Sequence, residues 1–317
     1  MAEREVVRRF GKVAIVGRPN AGKSTLLNSL LREKLAIVSE KPQTTRNRIV
    51  GILSEKRGQM LLLDTPGVHK GRHRLNRRMV RAATDALNEA DIVCLLADAA
   101  APFGGGDEYM IELVQRAQAP KVAVLNKVDM VAKEALLPRI ARYAESALFD
   151  EIVPLSARTG DGVALLADLL WERLPEGAAR YDEDLLTLHP ERFLVAERIR
   201  EKLLSHTRQE LPYSTAVIID SWKEEERGGL VSILVTILVE RESQRRIVLG
   251  KAGRMIKAIS TDARLDLEQY LERRVFLRAH VRCEANWREK GRILERLDEE
   301  ARNVDLSANI EKSEGDL

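Results

Sequence analysis

Cysteine is nearly missing from this chain: there are two in 317 residues, Cys94 and Cys283. Each sits in an apolar, strand-like stretch, Ile92 to Leu96 and Val281 to Cys283. Both read as small core residues in a reducing compartment, and a disulfide framework is excluded. Long apolar runs are missing too. None reaches the ~20 residues that a membrane-spanning helix needs. The opening MAEREVVRRF lacks the apolar core of a signal peptide, and the expectation is a cytoplasmic protein. An excess of one charge is also missing, since 52 basic side chains face 49 acidic ones and leave +3. So small a remainder does not argue for a nucleic-acid partner; only local clustering can. Five histidines form no zinc-spaced cluster with cysteine; His69 and His73 read as solvated loop residues. No internal repeat is visible.

What is present begins at GRPNAGKS, Gly17 to Ser24. It follows the apolar run Val13 to Val16, which reads as a buried strand, and opens Thr25 to Leu31, which reads as a helix. Strand, glycine loop, helix is the setting of a phosphate-binding loop. Gly17 and Gly22 let the backbone wrap an anion closely, and the helix N-terminus offers unpaired N–H groups to phosphate. Arg18, Pro19, Asn20, Ala21 and Thr25 complete the nucleotide-contacting loop. Lys23 would reach the β- and γ-phosphates, and the Ser24 hydroxyl would hold Mg²⁺.

Three further segments follow in order. DTPG, Asp64-Thr65-Pro66-Gly67, succeeds the apolar strand Met60 to Leu63. Asp64 would hold Mg²⁺ through water, and the Gly67 N–H would sense the γ-phosphate. NKVD, Asn126-Lys127-Val128-Asp129, ends the strand Lys121 to Leu125, where ligands of open parallel sheets bind. A carboxylate at Asp129 accepts from both guanine donors, which adenine lacks on that edge. Asn126 would either reach the base or brace the phosphate loop, and the Lys127 stem would cover the ring. Ser156-Ala157-Arg158 follows Ile152 to Leu155, and a backbone N–H there would meet the guanine carbonyl. Between the first two segments, KPQTTR (Lys41 to Arg46) offers a threonine that would bind Mg²⁺ only with γ-phosphate present; Thr45 is preferred to Thr44. Lys23, Thr45 and Gly67 are therefore the candidate catalytic groups. This is the motif order of translation-factor-like and Ras-like GTPases, for which Mg²⁺ and GTP or GDP are the expected ligands.

Strands alternate with amphipathic helices to about Leu174, the rhythm of an α/β parallel sheet covered on both faces. The first domain is accordingly placed at residues 1–175. A polar stretch without periodicity, 176–190, reads as a linker. Beyond it the order becomes α-β-β-α-α-β over 191–285, with strands expected at Thr215 to Asp220, Leu230 to Glu240 and Val275 to Cys283. The first two are joined by a charged turn, Lys223 to Gly229. Between the paired helices lies Gly250-Lys251-Ala252-Gly253, followed by Arg254 and Lys257. Two glycines let a nucleic-acid backbone pass close, and basic flanks meet its phosphates, which is the α+β K-homology arrangement in its prokaryotic, type II order. Ile247, Leu249 and Ile256 would floor a groove for unstacked bases. A C-terminal helix is expected over 286–302, and 303–317 is expected to be a disordered polar tail. The stripe Trp287, Ile293, Leu294 and Leu297, with basic neighbours, raises a second reading in which the helix lies on a bilayer.

The motifs GRPNAGKSTLLN, PQTTR, DTPG, NKVD and SAR, followed by IVLGKAGRMIKAI, together resemble the Era family of bacterial GTPases over about residues 10 to 300. That resemblance implies a slow GTPase that binds the single-stranded 3′ end of 16S, small-subunit ribosomal RNA and acts in assembly of the small ribosomal subunit. It also implies a monomer and peripheral contact with the inner membrane. Ras-like GTPases carry a water-orienting glutamine after the Asp-x-x-Gly glycine; here that position is Val68, similar to the hydrophobic residue of Era-like GTPases. Relatives with a similar phosphate loop hold K⁺ with the loop asparagine, which implies Asn20 here.

Overall fold

The computed structural model describes residues 8–41, 44–67, 74–207, 211, 214–225 and 229–301. The chain divides into two compact units, the first ending at Thr187 and the second beginning at Leu188.

The apolar runs of the first unit become strands because their side chains are covered on both faces. The elements are β1 (Arg9–Gly17), α1 (Lys23–Leu31), β2 (Ile49–Glu55), β3 (Gly58–Asp64), α2 (Arg74–Glu89), β4 (Ile92–Asp98), α3 (Gly105–Gln115), β5 (Lys121–Asn126), α4 (Lys133–Ala144), β6 (Glu151–Pro154) and α5 (Val163–Arg173). The six strands form one sheet in the order β2-β3-β1-β4-β5-β6. All pairings are parallel except β2 with β3. Every residue of β3 is buried, and so are Val13 to Gly17 of β1. Strand order reverses around β1, which opens the crevice where such sheets bind ligands. Cys94 is buried in β4, which pushes its thiol up to about 12.

The polar stretch expected as a linker is, through Thr187, part of this unit. Gly177 donates to the Arg8 carbonyl and Phe10 to the Pro175 carbonyl. The buried Gln59 side chain donates to the Tyr181 carbonyl at 2.7 Å and accepts from the Arg180 and Tyr181 N–H groups. Ile52 N–H donates to the Leu186 carbonyl at 2.8 Å, so the segment runs along β2, the sheet's edge. Backbone pairing of an edge strand needs no hydrophobic period, and for that reason the composition read as a free linker.

The second unit contains α6 (Glu191–His206), β7 (Ala216–Glu224), β8 (Leu230–Val239), α7 (Glu242–Leu249), α8 (Arg254–Leu271), β9 (Arg274–Cys283) and α9 (Gly291–Ala301). β8 is central, antiparallel to β7 and parallel to β9. One face of the sheet packs on the helices through Ile199, Leu203, Val235, Ile237, Ile259 and Leu267. β7 is longer than the sequence suggests. A bulge between Ile219 and Ser221 lets Ser221 to Glu224 pair again with β8, and the charges at Lys223 and Glu224, read as a turn, sit on an edge strand that tolerates them.

The expected helix over 286–302 is a short 3₁₀ turn, Trp287–Glu289, followed by α9. Residues 302–317 lie outside the described residues. Trp287 and Leu294 are fully covered, and the indole N–H donates to the Ser214 carbonyl at 2.8 Å. These two side chains of the bilayer-facing stripe are therefore spent on packing within their own unit. Trp287→Ala should cost about 3–5 kcal/mol in the unfolding of the second unit, read by denaturant titration, while nucleotide binding stays unchanged.

Candidate functional site

Loops at the carboxyl ends of β1, β3, β5 and β6, with the segment between α1 and β2, meet around one cleft of about 500 Å³. It is lined by Asn20 and Gly22 to Thr25 of the glycine loop, by Ile37 to Glu40, Thr44 and Thr45, by Gly67, and by Asn126, Lys127, Asp129, Met130 and Arg158. The size suits a nucleotide-sized ligand. Val68 and the two loop histidines after it, like Pro42 and Gln43, lie outside the described residues.

Gly22 starts α1 at φ 96, and a Cβ there would come within 2.2 Å of the Asn126 amide. Only glycine allows that approach. The Asn126 amide donates to the Ala21 carbonyl at 2.8 Å and accepts from the Ala157 N–H at 2.9 Å. Of the two roles open to it, this geometry is the brace. Lys23 Nζ is buried and donates to the Gly17 and Arg18 carbonyls at 3.2 and 3.0 Å. Burial lowers its ammonium to about 8, and an anion above the loop would oppose that shift.

Beneath the loop, Ser24 Oγ lies 2.6 Å from Asp64 Oδ2 and 2.7 Å from Thr45 Oγ1. The Thr44 hydroxyl instead donates to the Lys41 carbonyl at 2.6 Å. Asp64 is fully buried; burial pushes its carboxyl up to about 6, against the nearby Lys23 charge. Its Oδ1 has no hydrogen-bond partner among the described residues. Two hydroxyls and a carboxylate with a spare oxygen form a hard-donor set that suits Mg²⁺.

At the far end of the cleft, Asp129 accepts from Ser156 Oγ at 2.6 Å and from the Arg158 guanidinium at 2.5 Å. The serine hydroxyl, then the guanidinium, hold its carboxyl below the usual carboxylate range. An ionised carboxylate is the form that accepts two guanine donors. Lys127 has its ammonium pinned 2.6 Å from Asp98 Oδ2, which keeps its stem along the cleft. Asp98 was not a sequence candidate. Its signal was there, a carboxylate at the end of a parallel strand beside NKVD. Arg18 departs from expectation. Its side chain turns away from the cleft to Asp107 at 2.7 Å, so only its backbone serves the loop. Asn28, in the first helix, was also missed; its amide holds the Leu35 and Ala36 backbone through three bonds of 2.7–3.0 Å.

In the second unit the glycine loop joins α7 to α8. Gly250 and Gly253 stand at φ 71 and 74, and Ala252 at φ 52. Lys251, Arg254 and Lys257 are exposed around it. Ile247 is half exposed beside the partly buried Leu249 and Ile256. The loop and its exposed cations thus stand together at the junction of α7 and α8.

Comparison with known proteins follows the same division. The profile described as a 50S ribosome-binding GTPase matches residues 12–127, and a KH-domain profile matches residues 210–288. GTPase Era of Geobacter metallireducens is 50% identical over 91% of this chain and 97% of its own. The chain belongs to the Era family of GTPases. GTPase Era of Syntrophus aciditrophicus is 45% identical over 91% of this chain and 94% of its own. Two Era crystal structures superpose closely, each 36% identical. One, a variant from Aquifex aeolicus bound to GDP and AlF4⁻, covers 91% of this chain and 98% of its own with a TM-score of 0.88. The other, Era with MgGDPNP and nucleotides 1506–1542 of 16S ribosomal RNA, covers 92% and 98% with a TM-score of 0.89.

Asp129→Asn turns an acceptor pair into one acceptor and one donor. GTP affinity should fall about 10³–10⁴-fold, and xanthosine triphosphate should bind better, both read with fluorescent nucleotides. Unchanged GTP affinity would refute the base assignment.

Proposed function

We propose that this protein is a GTP-hydrolysing switch of the cytoplasm that binds the single-stranded 3′ end of 16S ribosomal RNA and acts in maturation of the small ribosomal subunit. The observation that carries the reading is the joining, in one chain, of a guanine-nucleotide cleft to a glycine loop ringed by exposed cations. The Era complex with that stretch of ribosomal RNA supports it. RNA is favoured over a membrane because Trp287 and Leu294 are buried, although peripheral contact by other parts of the surface is compatible with the fold.

In this reading the backbone of Gly17 to Thr25 cradles the phosphates, and Lys23 meets the β- and γ-oxygens. Ser24, Thr45 and Asp64 hold Mg²⁺, which neutralises phosphate charge when bound. Thr45 and the Gly67 N–H answer to the γ-phosphate, so they distinguish GTP from GDP. Asp129 reads guanine. Lys251, Arg254 and Lys257 take RNA phosphates beside the two glycines.

A potassium ion at Asn20 is the second part of the proposal. Asn20 lines the cleft, and its amide nitrogen donates to the Glu40 carbonyl at 2.8 Å. Its carbonyl oxygen meets no donor among the described residues and is free to hold a cation. A cation beside the phosphates would offset charge that develops as the bond breaks.

Two experiments test these readings. Gly253 is the cleaner place to break the RNA loop, because a Cβ there meets nothing within 4 Å, whereas at Gly250 it would press on Met255 at 2.6 Å. Gly253→Asp should weaken single-stranded RNA about tenfold or more at low salt and leave GTP affinity intact; unchanged RNA affinity removes the K-homology reading. Phosphate release should run faster in potassium than in sodium at matched ionic strength, and Asn20→Ala should erase the difference. A rate indifferent to the cation, with RNA and without it, would sink the potassium reading.

A further inference from the structure

The side of the β7–β8–β9 sheet turned away from α7 and α8 is not uniformly covered. At one end Ile218, Thr236 and Leu238 are buried. Along β9 the alternation leaves Phe276, Arg278, His280 and Arg282 all exposed, while Val275 and Val281 point into the core. Register places Phe276 beside Ser232, with Lys223 across Ser232 on the far strand, and Arg278 beside Leu234. Phe276 is 52% and Leu234 37% exposed, so an aromatic ring stands in the open between cations.

Many arginines of this unit are spent on carboxylates: Arg264 on Glu268, Arg273 on Glu224 and Arg288 on Glu240. Lys223, Arg278 and His280 have no ion-pair partner among the described residues, and Arg282 approaches Glu284 only at 3.8 Å. Along a strand these outward side chains recur every ~6.7 Å. Unpaired Lys223 and Arg278, with the exposed His280 imidazole, on the same face as an exposed ring make a surface that tracks a polynucleotide backbone while stacking a base. On its other side β9 packs against α7 and α8, the helices that flank the glycine loop. β9 is one of the sheet's two edge strands, and its helix-facing Leu277 and Ala279 remain partly buried beside α7 and α8.

We propose that this outer face is a second RNA-binding surface, over which a strand leaving the glycine-loop groove continues, with a base on Phe276 and phosphates on Arg278 and Lys223. The proposal rests on the reading of this unit as an RNA-binding domain. A K-homology groove clamps only about four nucleotides, so longer RNA needs such a path. A lipid surface fits less well, because only two apolar side chains are offered.

The test uses the full chain and two single-stranded RNAs from the 3′ end of small-subunit ribosomal RNA, one of about six nucleotides, enough for the groove, and one of about eighteen that contains it. Phe276→Ala with Arg278→Ala should leave the short RNA within about twofold of wild type and weaken the long one roughly tenfold. The salt dependence for the long RNA should flatten by about 0.7 for each phosphate that no longer meets a cation. Phe276→Tyr keeps the ring and should bind both as wild type. An unchanged long-RNA affinity overturns the proposal, and so does an equal loss of both RNAs, which would mark a structural role. Loss of binding to anionic phosphatidylserine vesicles with long-RNA affinity intact would overturn it in favour of lipid. If wild type fails on the short RNA, the groove reading fails, and the outer face stands or falls on the long RNA alone.

Discussion

The cleft of the first unit depends on the Asn126 side-chain amide, which bridges the Ala21 carbonyl and the Ala157 N–H from within the protein. Three loops far apart in sequence are thereby held at one spacing. In the proposed reading the first meets the phosphate end of the ligand and the other two meet the base. A nucleotide has a fixed length, so binding it at both ends requires that spacing to be set in advance. The bridge also explains the Gly22 backbone, since any side chain there would strike the amide. Asp98 extends the same logic by pinning the Lys127 head.

Charge is handled differently at the two ends. Lys23 and Asp64 are both fully buried, and burial drives each toward its neutral form. A triphosphate with its metal ion would bring the opposite charges to both and relieve that burial penalty. Thr45 connects this pair to the loop that starts beyond Asn28. The amide of Asn28 fixes the root of that loop, and Asn20 touches it at Glu40. The loop is therefore tied at its root through Asn28 and to the glycine loop through Asn20.

In the second unit, net charge says little and placement says much. Basic and acidic side chains nearly cancel over the chain, yet the cations around Gly250 to Gly253 stand exposed while others are paired. Local concentration of unpaired charge, not the overall sum, marks a polyanion surface.

The sequence by itself determined the two fold classes, the motif order and which residues are the candidates for phosphate, metal and base. Those follow from local periods and from spacings within a few residues, such as Gly17 to Ser24 or Asn126 to Asp129. The prokaryotic K-homology order was legible for the same reason. Only the tertiary structure decided which way long side chains turn and which polar segments pair. Arg18 goes to Asp107, 89 positions away, and Gln59 holds Tyr181, 122 positions away. The segment up to Thr187 joined the sheet edge through backbone bonds, which leave no trace in side-chain pattern. Trp287 turned inward because Ser214 offered its indole a carbonyl. A partner's distance along the chain carries no local signal, so only the folded chain, where burial makes each polar group find a partner, could settle these choices.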